Sequence, residues 1–167
     1  MNKEAEKIIK ALNLSQHPEG GYYREIYRSE FLTGQANQLE FKEKRNLATS
    51  IYFLLQEKQV SHFHQLTSDE IWYFHAGCSV KIYTIDKVGN LKISKLGADI
   101  AREEKPQIII PAGVIFGAEI TDKESFALIG CLVAPGFEFK DFRLFTRKEL
   151  LDMFVQHTEI IYKLTKN

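Results

Sequence analysis

Two cysteines, four prolines, a single tryptophan and no net charge among 167 residues remove several classes of protein before any motif is considered. Cys78 and Cys131 lie far apart in apolar, strand-like runs and belong to no CxxC pair or Cys/His cluster of zinc spacing. A disulfide scaffold, a zinc ribbon and a thiol redox centre are therefore not expected, and both thiols should be buried and reduced. Twenty-two Lys plus Arg balance 22 Asp plus Glu, so the chain has no field to draw in a phosphate backbone or an anionic lipid surface. Neither nucleic acid nor membrane is an expected partner. The longest apolar stretches, over 108–118 and 126–137, contain Pro or Gly and fall short of the ~20 residues that span a bilayer. The first residues mix acids and bases where a secretory signal would be basic and then apolar, so the expected location is cytoplasmic. No G-x-S-x-G elbow, phosphate loop or G-x-G-x-x-G turn is present.

What is present is a packed chain: 44% of residues are apolar and 12% aromatic, more than a disordered segment carries. The length suits one domain, 1–167. Ala5, Ile8, Ile9 and Leu12 recur at helical spacing behind a candidate cap, Asn2. His17-Pro18-Glu19-Gly20-Gly21 reads as a turn, which leaves His17 solvated, as is expected of His157 near the other end. Between about 20 and 145, short Val-, Ile-, Phe- and Tyr-rich runs alternate with turn residues at intervals of roughly ten, the signature of an antiparallel all-β domain. Strands are predicted near 47–55, 60–66, 70–76, 78–85, 91–96, 106–110, 114–120, 126–134 and 139–145, with an aromatic-rich strand from 22 to 29 and a long loop over 31–44. Thr146 and Glu149 form a capping box for a closing helical region, so short helices over about 3–13 and 147–164 flank the barrel. So many antiparallel strands must hide their edges, which favours a closed barrel or a double-sheet jelly roll.

The segment from Val60 to Gly77 carries the chemistry. On a regular strand His62 and His64 share a face, and a hairpin can bring Glu70 to the same place. Two imidazoles and a carboxylate can act as acid and base near neutral pH. The same set can hold a divalent transition metal with open positions, or the residues can simply hydrogen-bond. Trp72 shares the face of Glu70, whereas Tyr73 and His75 alternate away. Arg24 could clamp an anionic group or serve a structural ion pair.

These residues resemble the first motif of the cupin superfamily: His62-x-His64, then Glu70, then six residues to Gly77. The spacing to Glu70 is longer than the usual pattern, and Asp69 fits the count better. The second motif is approached by Pro111-Ala112-Gly113-Val114-Ile115, with Phe116 where a histidine would stand and Ile120 where an asparagine would. Residues 14–29, Ser68-Asp69-Glu70-Ile71-Trp72, Phe116-Gly117-Ala118-Glu119 and Val133-Ala134-Pro135-Gly136-Phe137 with Asp141-Phe142 resemble a small RmlC-like cupin family of unassigned function. The resemblance implies an all-β double-stranded β-helix, a homodimer, and a mouth pocket for a small polar ligand, sugar-like or nucleotide-sugar-like. His62, His64 and Glu70 are its expected catalytic residues, with Trp72, Phe116, Tyr52 and Arg24 as ligand-binding residues. No cofactor is assigned, since Phe116 removes a histidine; a divalent metal, if bound, would use His62, His64 and Glu70. Acid–base epimerase or isomerase chemistry, a non-catalytic binding or structural barrel, and a metal-dependent enzyme are the three functional expectations.

Overall fold

The structure is a computed structural model describing residues 2–33 and 44–166; most of the loop expected over 31–44 lies outside them. Helix α1 (Lys3–Ala11) begins where the Asn2 side chain accepts from the backbone N–H groups of Glu4 and Ala5. That cap satisfies donors left orphaned in the first turn. Ala5 and its apolar neighbours Ile8, Ile9 and Leu12 pack on Leu14, Leu54 and Phe126.

Among the described residues eleven strands follow: β1 (Ser15–Gln16), β2 (Tyr22–Arg28), β3 (Thr49–Gln56), β4 (Val60–Leu66), β5 (Asp69–Gly77), β6 (Val80–Ile85), β7 (Leu91–Leu96), β8 (Gln107–Ile110), β9 (Ile115–Ile120), β10 (Phe126–Ala134) and β11 (Phe142–Leu144). They form two sheets, β1-β2-β3-β10-β5-β8 and β11-β4-β9-β6-β7, with every strand pairing antiparallel. The inner faces enclose a core in which Phe53, Leu55, Trp72 and Ile129 of the larger sheet meet Ile82, Phe116, Ala118 and Ile120 of the smaller. This is the double-sheet jelly roll, one of the two arrangements that the strand spacing leaves open and the one that the cupin resemblance implies.

Helices α2 (Arg147–Met153) and α3 (Thr158–Lys163) cover the outer side of the smaller sheet, burying Phe63, Tyr83 and Ile85 against Leu150, Ile161 and Leu164. The capping box of Thr146 and Glu149 forms as expected. His157 is not merely solvated, since its Nε2 meets the Gly89 carbonyl at 2.8 Å. Cys131 is buried and unpaired as expected, but Cys78 is only half-buried.

Two local departures from regular geometry position the deeper groups of the site. In the β4–β9 pairing, Ser61 opposes Ala118 and His64 opposes Phe116, so three steps on β4 match two on β9. The extra residue is a β-bulge, and it rotates His64 onto the inner face occupied by Ser61. Gly117 lies against the bulge, where a Cβ would stand 2.9 Å from the Ser61 carbonyl oxygen. The second departure is the turn over 17–21. Gly21 has φ +71°, and a Cβ there would meet the Leu54 carbonyl oxygen at 2.7 Å. The His62 N–H donates to the Glu19 carbonyl at 2.8 Å, which fastens the turn to β4 and carries the Glu19 side chain inward.

Candidate functional site

At the mouth of the barrel the sheets separate around a cavity of about 140 Å³. Its polar lining includes His17, Glu19, His64, Glu70 and Cys131; Phe53, Phe137, Phe139 and Phe142 supply aromatic walls, and Glu25, Arg28 and Glu138 also border it. Glu25 and Arg28 share this border because a register shift in the β2–β3 pairing lies between Glu25 and Tyr27. The Arg28 guanidinium is held by Glu25 at 2.8 Å and Glu138 at 2.9 Å, and it also donates to the Phe137 carbonyl.

The deeper polar groups form one connected set. Glu19 Oε1 accepts from the Ser61 hydroxyl at 2.9 Å, while Oε2 lies 3.3 Å from His64 Nε2 and 3.4 Å from His17 Nδ1. His64 Nδ1 meets the His62 carbonyl at 2.7 Å. Burial pushes the Glu19 carboxyl above the ordinary carboxylate range and holds His17 and His64 below the ordinary imidazole value. Desolvation disfavours whichever form is charged, so it moves acids and bases in opposite directions. Glu70 is raised to about 7, first by burial and then by the Glu19 carboxyl, with His64 tempering the rise. The Trp72 indole and the Cys131 thiol temper it further, yet among the described residues Glu70 Oε2 and Trp72 Nε1 each remain without a partner at hydrogen-bonding geometry.

The site therefore overlaps only in part with the one expected from sequence. His64 and Glu70 line the cavity; His62 does not. The bulge separates the two histidines, and His62 instead borders an outer groove with Lys58, Gln59 and Gly20. Phe116 and Trp72 stay behind the cavity in the core, with the Phe116 ring centroid 4.0 Å from that of His64 and 6.0 Å from that of Trp72. Tyr52 faces the opposite side of the larger sheet, in a groove with Tyr73 and His75, which follows from strand alternation. Arg24 is exposed and donates to the Leu12 carbonyl at the end of α1. Asp69 accepts from the Ala112 N–H and so fixes the Pro111-Ala112-Gly113 turn.

A metal held by His62, His64 and Glu70 does not fit this arrangement. His62 lies elsewhere, both ring nitrogens of His64 already face protein oxygens, and no group of three or more His, Cys, Asp or Glu among the described residues is arranged to hold an ion. Glu19 and His17 are the residues that sequence reasoning missed. His17 is not solvated: its ring packs edge-on against Tyr23 at 4.5 Å between centroids. The turn signal of Pro18 and the two glycines placed both residues in a loop without showing that the loop folds inward. The adjacent aromatic run from Tyr22 was the available hint.

Comparison with known proteins agrees with this architecture. A family model described as "Cupin superfamily (DUF985)" matches residues 6–145. An uncharacterized protein of Saccharomyces cerevisiae is 29% identical over 147 residues, 81% of this chain and 72% of the relative. A crystal structure of a Shewanella oneidensis protein is 46% identical, with a TM-score of 0.88 and coverage of 99% of this chain and 98% of that one. A hypothetical protein from Leishmania major is 34% identical with a TM-score of 0.87, covering 98% and 99% of the two chains. Bacillus subtilis oxalate decarboxylase shares the fold at 18% identity and a TM-score of 0.56, over 89% of this chain and 36% of that one.

Proposed function

This chain belongs to the DUF985 family of the cupin superfamily, and from that premise we propose that its mouth pocket binds a small, polar, sugar-like molecule and exchanges a proton with it in an isomerase- or epimerase-type reaction. The observation that carries this reading is Glu70: a carboxyl raised to about 7 that lines the cavity with a buried oxygen for which the described residues supply no hydrogen-bond partner. An unsatisfied buried acceptor costs on the order of 1–3 kcal/mol, and a ligand O–H would supply its missing partner. A base whose pKa lies near the working pH combines availability with driving force. The aromatic walls suit the apolar C–H faces of a sugar, while Glu25, Arg28 and Glu138 offer hydrogen bonds to its hydroxyls. A nucleotide attached to such a sugar would lie outside a cavity of about 140 Å³.

The test begins with a thermal-shift screen of aldoses, ketoses and deoxy sugars, because a ligand that binds only the native state raises its melting temperature. Stabilising compounds are then followed by NMR in D2O for hours. Conversion, or deuterium entering a ligand C–H, is expected with wild-type protein. With Glu70→Gln the rate should fall by about 10²–10⁴-fold, the usual share of acid–base catalysis. Tight binding with unchanged resonances throughout would reduce the pocket to a binding site, and the absence of any stabilising sugar would overturn the ligand class.

A further inference from the structure

The hydrogen-bond partners around Glu19 fix where protons can sit. A carbonyl oxygen only accepts, so His64 Nδ1, 2.7 Å from the His62 carbonyl, must carry a hydrogen. In the neutral ring the other nitrogen, Nε2, is then a lone pair, and it points at Glu19 Oε2 from 3.3 Å. On the other side His17 Nδ1 accepts the Glu19 backbone N–H at 3.3 Å. In a neutral ring that nitrogen too is a lone pair, 3.4 Å from the same Oε2. Ser61 donates to Oε1 and leaves Oε2 alone. A carboxylate in this position would set a negative oxygen against two lone pairs. One proton on Oε2 turns the three acceptors into a hydrogen-bonded set. The alternative, an imidazolium at His64 paired with a Glu19 carboxylate, would create two charges at side chains only 2% and 8% exposed. Burial opposes both.

We propose that Glu19 is a neutral carboxylic acid, its Oε2 proton held toward His64 Nε2 with His17 Nδ1 beside it, and that this proton is the one the pocket returns to the ligand after Glu70 has taken one. Among the described residues, the titratable groups facing Glu19 come from four elements: His17 on its own turn, His64 on β4 beside the Ser61 hydroxyl, Glu70 on β5 and Cys131 on β10. None is a cation that would hold Glu19 ionised while the imidazoles stay neutral. His64, with both nitrogens engaged, is a positioning residue that acts through Glu19.

The proton step rests on the reaction proposed above, and it balances. Glu70 as carboxylate accepts a proton from a ligand C–H or O–H, whose electron pair stays on the ligand. The Glu19 O–H breaks, its proton goes to the ligand, and its electron pair stays on Glu19. The Glu70 and Glu19 pair begins and ends with one negative charge, which has moved from Glu70 to Glu19; solvent exchange resets it. Two buried carboxyls with different neighbours thus divide the roles of base and acid.

The protonation state is tested without any ligand. Infrared difference spectra between wild type and Glu19→Gln at neutral pH should show loss of a protonated-carboxyl stretch, distinguished from that of Glu70 by the spectrum of Glu70→Gln. Long-range ¹H–¹⁵N spectra of the wild type should show His64 neutral with the hydrogen on Nδ1. The Gln amide can donate to His64 Nε2 and His17 Nδ1 while its carbonyl accepts from Ser61, so Glu19→Gln should fold and keep that tautomer. A His64 imidazolium in wild type, or no carboxyl band lost in the variant, would overturn the proposal. If Glu19→Gln fails to fold, a protonated-carboxyl band that persists at neutral pH in Glu70→Gln, together with a neutral His64 in wild type, supports the proposal, and the absence of that band overturns it. For a sugar that turns over, Glu19→Gln should lower kcat about 100-fold or more with KM little changed, whereas an unchanged kcat would remove the donor role. A failed ligand search counts against the proposed reaction and leaves the protonation state of Glu19 to be decided by the spectra alone.

Discussion

Glu70 sets the pH response of stability at the scale of one side chain. Its folded-state value of about 7 lies above the ordinary 4.5, so the native protein keeps a proton that the unfolded chain has already released. This group alone makes stability decline as pH rises from about 4.5 to 7 and level off above, with a total near 3 kcal/mol at 1.36 kcal/mol per pH unit. The raised Glu19 carboxyl adds to the decline in the same sense and, neutral at neutral pH as proposed, carries it above 7. His17 and His64 act in the opposite sense. Their values are lowered from 6.5, so they cost stability as pH falls below that point. Urea unfolding at pH 5 and pH 8 separates the two effects. Glu70→Gln should match wild type at pH 5 and exceed it by about 3 kcal/mol at pH 8, and parallel pH profiles would refute the assignment. His64 and Glu70 were legible in the sequence because ionisable residues in a strand-like run stand out. Glu19 and His17 were not, because a turn sequence reports backbone conformation and says nothing of which way its side chains face.

Among the elements, strand positions were legible to the residue in places: 60–66, 91–96 and 126–134 coincide with β4, β7 and β10. Alternating apolar residues specify a pleated, half-buried run directly. The β4 bulge left no such mark, because neither His62 nor Phe63 is a turn former, and it is the bulge that parts the two histidines. Gly117 is where the bulge can be tested. A methyl group there would stand 2.9 Å from the Ser61 carbonyl, 3.2 Å from the Phe63 nitrogen and 3.3 Å from Leu164 Cδ1. Gly117→Ala should cost about 1–3 kcal/mol and shift the imidazole resonances of His64, the residue that the bulge positions. A neutral effect on urea midpoint and spectrum would show that the β4 backbone yields without consequence for the site.

The whole molecule couples that strand to its far end. Phe63 N–H donates to the Leu164 carbonyl, and Glu119 on β9 gathers Tyr83, Lys123 and Lys163 around one buried carboxylate, held down to about 2 by those hydrogen bonds despite the opposing burial. Helices α2 and α3 therefore complete the smaller sheet. Ile161→Ala, at a fully buried position, should destabilise the protein by about 2–4 kcal/mol while leaving one transition, with calorimetric and van't Hoff enthalpies equal. Two separate transitions would mean that the helices unfold independently of the barrel. The fold class was legible at this scale because the regular spacing of short strands leaves few ways to hide their edges, and the motif blocks spread over most of the chain agreed with it. The placement of Tyr52 and Arg24 outside the pocket required the register between strands, which spacing along the chain does not contain.

The solitary tryptophan of the chain, Trp72, is wedged between Phe53 and Phe116, and its indole lies near enough to weigh on the Glu70 carboxyl. Its excited state therefore responds to the electric field at the cavity floor, undiluted by any other indole. The barrel carries its own optical probe: ionisation of Glu70, or arrival of a polar group beside it, is encoded in the emission wavelength of a single fluorophore, and ligand entry can be timed by stopped flow without attaching a dye.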